Sequence, residues 1–131
     1  MTQGEFIEVL DDKGYSYEIE GDKVVVTYHG EVFLPGLETL PRGIEFNNGG
    51  GVHLDSLRTL PQGIEFTNKG NVFLDSLQTL PQRIEFKNAS GVYLESLMGV
   101  WFSHWDGNIE GIRHVRLLNK MISQGLFERN S

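Results

Sequence analysis

Three consecutive twenty-residue blocks of this chain align without a gap: EVFLPGLETLPRGIEFNNGG (31–50), GVHLDSLRTLPQGIEFTNKG (51–70) and NVFLDSLQTLPQRIEFKNAS (71–90), and a fourth opens at 91 as GVYLESLMGV before departing. The shared pattern is x-V-x-L-x-S-L-x-T-L-P-x-G-I-E-F-x-N-x-G. Self-similarity at such a period marks a chain built by stacking one small unit on the next. Within a block, apolar residues alternate at V-x-L and again at I-x-F-x-N, which is strand period. Val52, Leu54, Ile64 and Phe66 fall on one face, and His53, Asp55 and Glu65 on the other. Between the two runs, L-x-x-L-P turns a corner, where Pro61 cannot donate to a strand ladder. Gly50 and Gly70 close their blocks where the chain must turn again. Each block therefore reads as one coil with two short strands.

A single coil has too small a core to offset the entropy of ordering it, so the coils must stack. The expected inward columns are Val32/52/72/92, Leu34/54/74/94, Leu37/57/77/97, Leu40/60/80, Ile44/64/84 and Phe46/66/86. Asn48, Asn68 and Asn88 share their parity and are expected to form an amide ladder at the turn. Val24 and Val26 lie one repeat upstream of Ile44 and Phe46 and are expected to begin the first half-coil. Stack ends need covers, because an open sheet edge recruits other strands. EFIEVLDDKG reads as a short amphipathic helix stopped at Gly14, and Gly21-Asp22 as a hairpin turn between YSYEIE and KVVVTY. At the far end, GVWFSHWDGN is aromatic and irregular, and RHVRLLNKMISQ reads as a helix with Gly125 at its C-cap. The expected fold is mainly β: a single domain over 1–131, with a helix-hairpin cap over 1–30, a short solenoid of three to four coils over 31–100, and a helical cap over 101–131.

The L-P-x-x-I-x-F-x-N-x-G-x-V-x-L spacing over residues 24–100 resembles the leucine-rich-repeat-like β-solenoids of bacteria and bacteriophages. Phe and Asn replace the usual L-x-x-N frame, and no helix fits inside the coil. The resemblance implies a solenoid and a phage or mobile-element setting. It implies no single function.

Charge narrows the partners. The net charge is −7. Residues 1–112 carry 17 acids against 7 bases, whereas Arg113, Arg116, Lys120 and Arg129 face only Glu128 over 113–131. An acidic body repels phosphate backbones, so direct nucleic-acid binding is not expected and a protein partner with a basic surface is. The chain has no cysteine, which removes disulfides and thiolate metal sites and suits a reducing cytoplasm. MTQGEFIEVLDDKG does not read as a signal peptide, and no apolar run is long enough to span a bilayer. The expected location is therefore cytoplasmic.

The outward columns carry the candidate function. Two are acidic: Glu45/Glu65/Glu85 and Asp55/Asp75/Glu95. Equivalent residues of stacked coils lie about 4.8 Å apart, a distance at which like charges repel. Such columns read either as a solvated face left by repeat duplication or as a docking surface for a basic partner. One carboxylate per coil makes a poor cation cage. Beside the second column runs an aromatic stripe, Phe33/His53/Phe73/Tyr93, of the kind that anchors protein interfaces or stacks on sugars. Thr39, Thr59 and Thr79 form one further column, too sparse for a flat paired array. Arg113, Arg116 and Lys120 are a candidate second contact.

Catalysis has little to work with. His29, His53, His104 and His114 show no metal-ligand spacing, and there is no G-x-S-x-G, phosphate-binding loop or dinucleotide fingerprint. His104-Trp105-Asp106 reads first as part of an aromatic plug with Trp101 and Phe102. No metal and no cofactor is expected. The sequence is thus read as a non-catalytic binding protein that docks through an acidic, aromatic face on a basic host complex as an inhibitor, of the anti-CRISPR or other anti-defence kind. A carbohydrate-binding module and a self-associating structural protein are the alternatives.

Overall fold

The structure is a computed structural model and describes residues 1–81, 84–94 and 96. It is mainly β, with one N-terminal helix and two four-stranded sheets. Helix α1 (Gln3–Lys13) begins where Thr2 caps it: the Thr2 hydroxyl accepts from the Glu5 N–H while the Glu5 carboxylate accepts from the Thr2 N–H. It ends at Gly14, whose φ of 74° closes the last turn through bonds to Asp11 and Leu10 carbonyls. Phe6 and Leu10, one turn apart, are both fully buried. The Phe6 ring meets Phe46 edge-on at 6.3 Å, so the helix lies against the apolar interior. Strands β1 (Tyr17–Glu20) and β2 (Lys23–Val26) form the expected antiparallel hairpin about Gly21.

From β2 onward every pairing is parallel. Sheet A has the order β1-β2-β4-β6, with β4 at Ile44–Phe46 and β6 at Glu65–Phe66. A single bridge from Phe66 to Phe86 continues it. Sheet B has the order β3-β5-β7-β8, with β3 at Val32–Phe33, β5 at Val52–His53, β7 at Val72–Phe73 and β8 at Val92–Tyr93. Each register pairs a residue with the one twenty positions later, as in Val24↔Ile44, Glu45↔Glu65, Val52↔Val72 and Phe73↔Tyr93. Each repeat thus feeds both sheets, and the offset is the sequence period itself.

The inward columns are buried as their parity requires, from Val32, Leu34, Ile44 and Phe46 through to Val92 and Leu94. Leu37 is the exception among the described residues and is only partly buried. Phe46, Phe66 and Phe86 stack face to face inside, with centroids 5.5 and 5.4 Å apart. Asn48, Asn68 and Asn88 are buried, but their amides do not bond to one another. The Asn68 Nδ2 donates to the carbonyls of Gly50, Gly70 and Asn71, at 3.0, 3.1 and 3.4 Å. Asn48 and Asn88 repeat the pattern one block earlier and one later. Three carbonyls leave room only for a donor, which fixes the amide orientation. Among the described residues, the buried Oδ1 atoms have no hydrogen-bond partner. The expected amide ladder is therefore an amide-to-backbone clamp.

The turn beside the clamp admits no side chain at Gly70, where a Cβ would come within 2.5 Å of the Gly51 nitrogen. Leu97, the segment 101–112, the helix expected over RHVRLLNKMISQ and its cap at Gly125 lie outside the described residues.

Two substitutions separate packing from clamping. Phe66→Ala removes the middle ring of the inner stack and is expected to cost about 3–5 kcal/mol. Asn68→Ala removes three hydrogen bonds whose carbonyl acceptors each keep another donor, and is expected to cost on the order of 1 kcal/mol. Urea unfolding followed by circular dichroism measures both, and an Asn68→Ala variant as stable as the native chain would deny the clamp its role.

Candidate functional site: an aromatic ladder on sheet B

Strand parity sends one residue of each sheet B strand outward, and these are Phe33, His53, Phe73 and Tyr93. Their rings form one continuous stack. Phe33 to His53 is 4.1 Å at 18°, His53 to Phe73 is 4.4 Å at 12°, and Phe73 to Tyr93 is 4.7 Å at 8°. Offset-stacked pairs of this kind contribute about 0.5–1.5 kcal/mol each beyond burial. The stripe therefore ties neighbouring repeats together as well as presenting a surface. Phe33 is 47% exposed, and His53, Phe73 and Tyr93 are half-buried.

Carboxylates flank the ladder. Glu31 reaches the His53 Nε2 at 2.8 Å. Asp55, two residues beyond His53, is exposed, and Asp75 stands in the same place beyond Phe73, half-buried and with an interaction of its own. At the start of the stack, the Tyr15 hydroxyl accepts from the Phe33 N–H at 3.0 Å and lies 3.4 Å from the Phe33 carbonyl, to which it donates.

The first acidic column lies elsewhere, on the outer side of sheet A. Lys23 lies 3.0 Å from Glu45 and 3.3 Å from Glu65, and Thr67 donates to the other Glu45 oxygen at 2.9 Å. Burial raises the Glu45 pKa, but the bonds from Lys23 and Thr67 outweigh it and hold the carboxyl below the usual range. Lys23 is pushed up, first by its bond to Glu45. Two of the three acids in that column therefore share one cation, while Glu85 is exposed at its far end. The two acidic columns belong to different sheets, and the one beside the aromatics is Asp55/Asp75. Glu95, Arg113, Arg116 and Lys120 lie outside the described residues.

Two features escaped the sequence reading. Lys23 stands two residues before Val25, the residue that the twenty-residue offset pairs with Glu45, and so shares that face of β2. A shallow polar groove of about 300 Å³ is lined by Glu38, Ser56, Arg58, Ser76, Gln78 and Ser96. Its signal was the S of the repeat pattern, Ser56 and Ser76. Arg58 and Gln78 occupy equivalent places, with the Gln78 N–H donating to the Arg58 carbonyl, so the groove's one cation is not repeated. Among the described residues, no group of three or more His, Asp or Glu is placed to hold a metal ion. No helix there is long and apolar enough to cross a membrane.

The Lys23 bridge sets a pH dependence. The lowered Glu45 pKa gives stability that is full above the unfolded value, about 4.3, and is lost as pH falls through the folded value. The raised Lys23 pKa gives stability that is full below about 10.4 and is lost as pH rises past it. Lys23→Met is therefore expected to lower stability by about 1 kcal/mol or less at pH 7 and by much less at pH 3, in thermal melts of both proteins. An equal loss at both pH values would mean that packing, not charge, is what Lys23 supplies. Comparison with known proteins gives no match to any family model, any curated protein or any solved structure.

Proposed function

We propose that the chain is a non-catalytic protein-binding module, a short β-solenoid that docks through the outer face of sheet B on a basic surface of a partner. The observation that carries this reading is the four-ring ladder with Glu31, Asp55 and Asp75 at its side. Rings held by their neighbours lose little rotamer freedom on binding, so they serve as preorganised anchors. Ring edges carry partial positive charge, which suits the adjoining carboxylates. The acidic body steers a cationic partner and repels nucleic acid. A basic, nucleic-acid-handling host complex fits that description. An inhibitor from a phage or mobile element, of the anti-CRISPR or other anti-defence type and acting in the cytoplasm, is the role consistent with the resemblance of the repeat.

The carbohydrate reading fares less well against the same geometry. A sugar stacks on the face of a ring, and both faces of His53 and Phe73 are covered by neighbouring rings. Self-association through the stripe is the remaining competitor.

Affinity capture from bacterial lysate, run with the native chain and with an Asp55→Lys/Asp75→Lys variant, tests the proposal. The expected result is a basic complex held by the native chain, lost by the variant, and released when salt rises from about 0.1 to 1 M. Capture that is indifferent to the variant and to salt, or a native chain that retains only itself, would overturn it.

A further inference from the structure

Two sheet edges face the N-terminal end of the stack, and only one is closed. On β3, the Val32 and Leu34 N–H groups donate into the ladder, to the Gly51 and His53 carbonyls. Phe33 is the residue whose N–H and C=O look outward, and the Tyr15 hydroxyl meets both. On β1 the Thr27 N–H donates to the Ser16 carbonyl. With the register Glu18↔Val25 and Glu20↔Lys23, that makes 16/27, 18/25 and 20/23 the hydrogen-bonded pairs. The N–H and C=O groups of Tyr17 and Ile19 therefore point away from β2, and no hydrogen bond among the described residues takes them. Ile19 lies opposite fully buried Val24, yet it is 57% exposed.

The charge around this edge is one-sided. Glu18 and Glu20 project from the opposite face of β1 and are exposed, as is Asp22 in the adjoining turn. Lys23, opposite Glu20 in the hairpin, is engaged by Glu45 and Glu65. A second copy of β1 would set glutamate against glutamate, which cross-strand pairing disfavours.

We propose that β1 is a strand-addition site for an extended basic segment of a partner protein, paired antiparallel, with Lys or Arg opposite Glu18 and Glu20 and an aliphatic residue opposite Ile19. Strand addition draws affinity from main-chain bonds and selectivity from alternate side chains. Here Tyr17 and Ile19 supply four main-chain groups, the two glutamates select charge, and Ile19 selects an apolar contact. The site belongs to sheet A and does not depend on the ladder of sheet B.

The test is a titration of the ¹⁵N-labelled full chain with the capped peptide TKVKVKT, followed by amide shifts and hydrogen exchange. The expected response is saturable, centred on Tyr17 and Ile19, with slowed exchange at both amides. The peptide TEVEVET should bind at least about tenfold more weakly, and TKVKVKT N-methylated at both valines should not bind. An Ile19→Pro chain removes one outward donor and no ladder bond, so it should keep the fold and lose the response. No response to TKVKVKT, a response centred on Phe33 and Asp55, or equal binding of the N-methylated peptide would overturn the proposal. Should Ile19→Pro fail to fold, the N-methylated peptide still decides the matter.

Discussion

The strands here are two to four residues long, too short for backbone pairing alone to specify which repeat lies on which. The asparagine at the end of each I-x-F-x-N run supplies what the strands lack. Its amide holds a carbonyl of the preceding block together with two of its own turn, so a slip in register would break the bond that ties the turn to the block before it. At Gly70 the turn passes so close to its predecessor that a Cβ would meet the Gly51 nitrogen. Three buried acceptors are left without a partner among the described residues as the cost of this arrangement. The phenylalanine stack inside and the mixed aromatic stack outside both follow from the register that the clamp enforces.

Once the register is set, the alternation of side chains divides the molecule's surface between two sheets with different chemistry. Sheet A turns a carboxylate column outward and quenches its beginning with Lys23, so that face is held together by its own charges. Sheet B turns rings outward and leaves the neighbouring Asp55 exposed. The same period produces both, yet the sheets meet solvent on different terms. A partner that prefers carboxylates beside aromatics finds that combination on sheet B.

Much of this was legible because the period is exact to the residue. A twenty-residue offset assigns every inward column, and the buried series from Val32 to Leu94 follows it with Leu37 as the partial exception. The hairpin and the helix stop at Gly14 were legible from turn and cap chemistry. The helix start was less so: it lies at Gln3 because Thr2 caps it, a pairing with Glu5 that the apolar pattern beginning at Phe6 does not announce. What alignment could not show is which atoms meet across repeats. The asparagines were placed correctly inside but given the wrong partners, since an amide column offers no hint that backbone carbonyls crowd it more closely than its neighbours do. The outward aromatics were identified as a stripe, but only their geometry reveals that they spend their faces on one another. The roles of Tyr15 and Lys23 were invisible because both residues lie outside the repeat and act on it.

Tyr15 stands in for a whole strand. One phenolic oxygen serves both outward groups of β3, so sheet B begins with no template on which a further rung can grow from that side. The interior blocks, by contrast, meet only their neighbours, and every such junction shown has the same offset. Repeat number is accordingly a free variable in the middle of the molecule and a fixed one at its start: tandem duplication of a block such as 51–70 inserts a rung without disturbing the hydroxyl that seals the first. The length of the ladder, and with it the size of the face it presents, can change by whole blocks while the opening of the stack stays as it is.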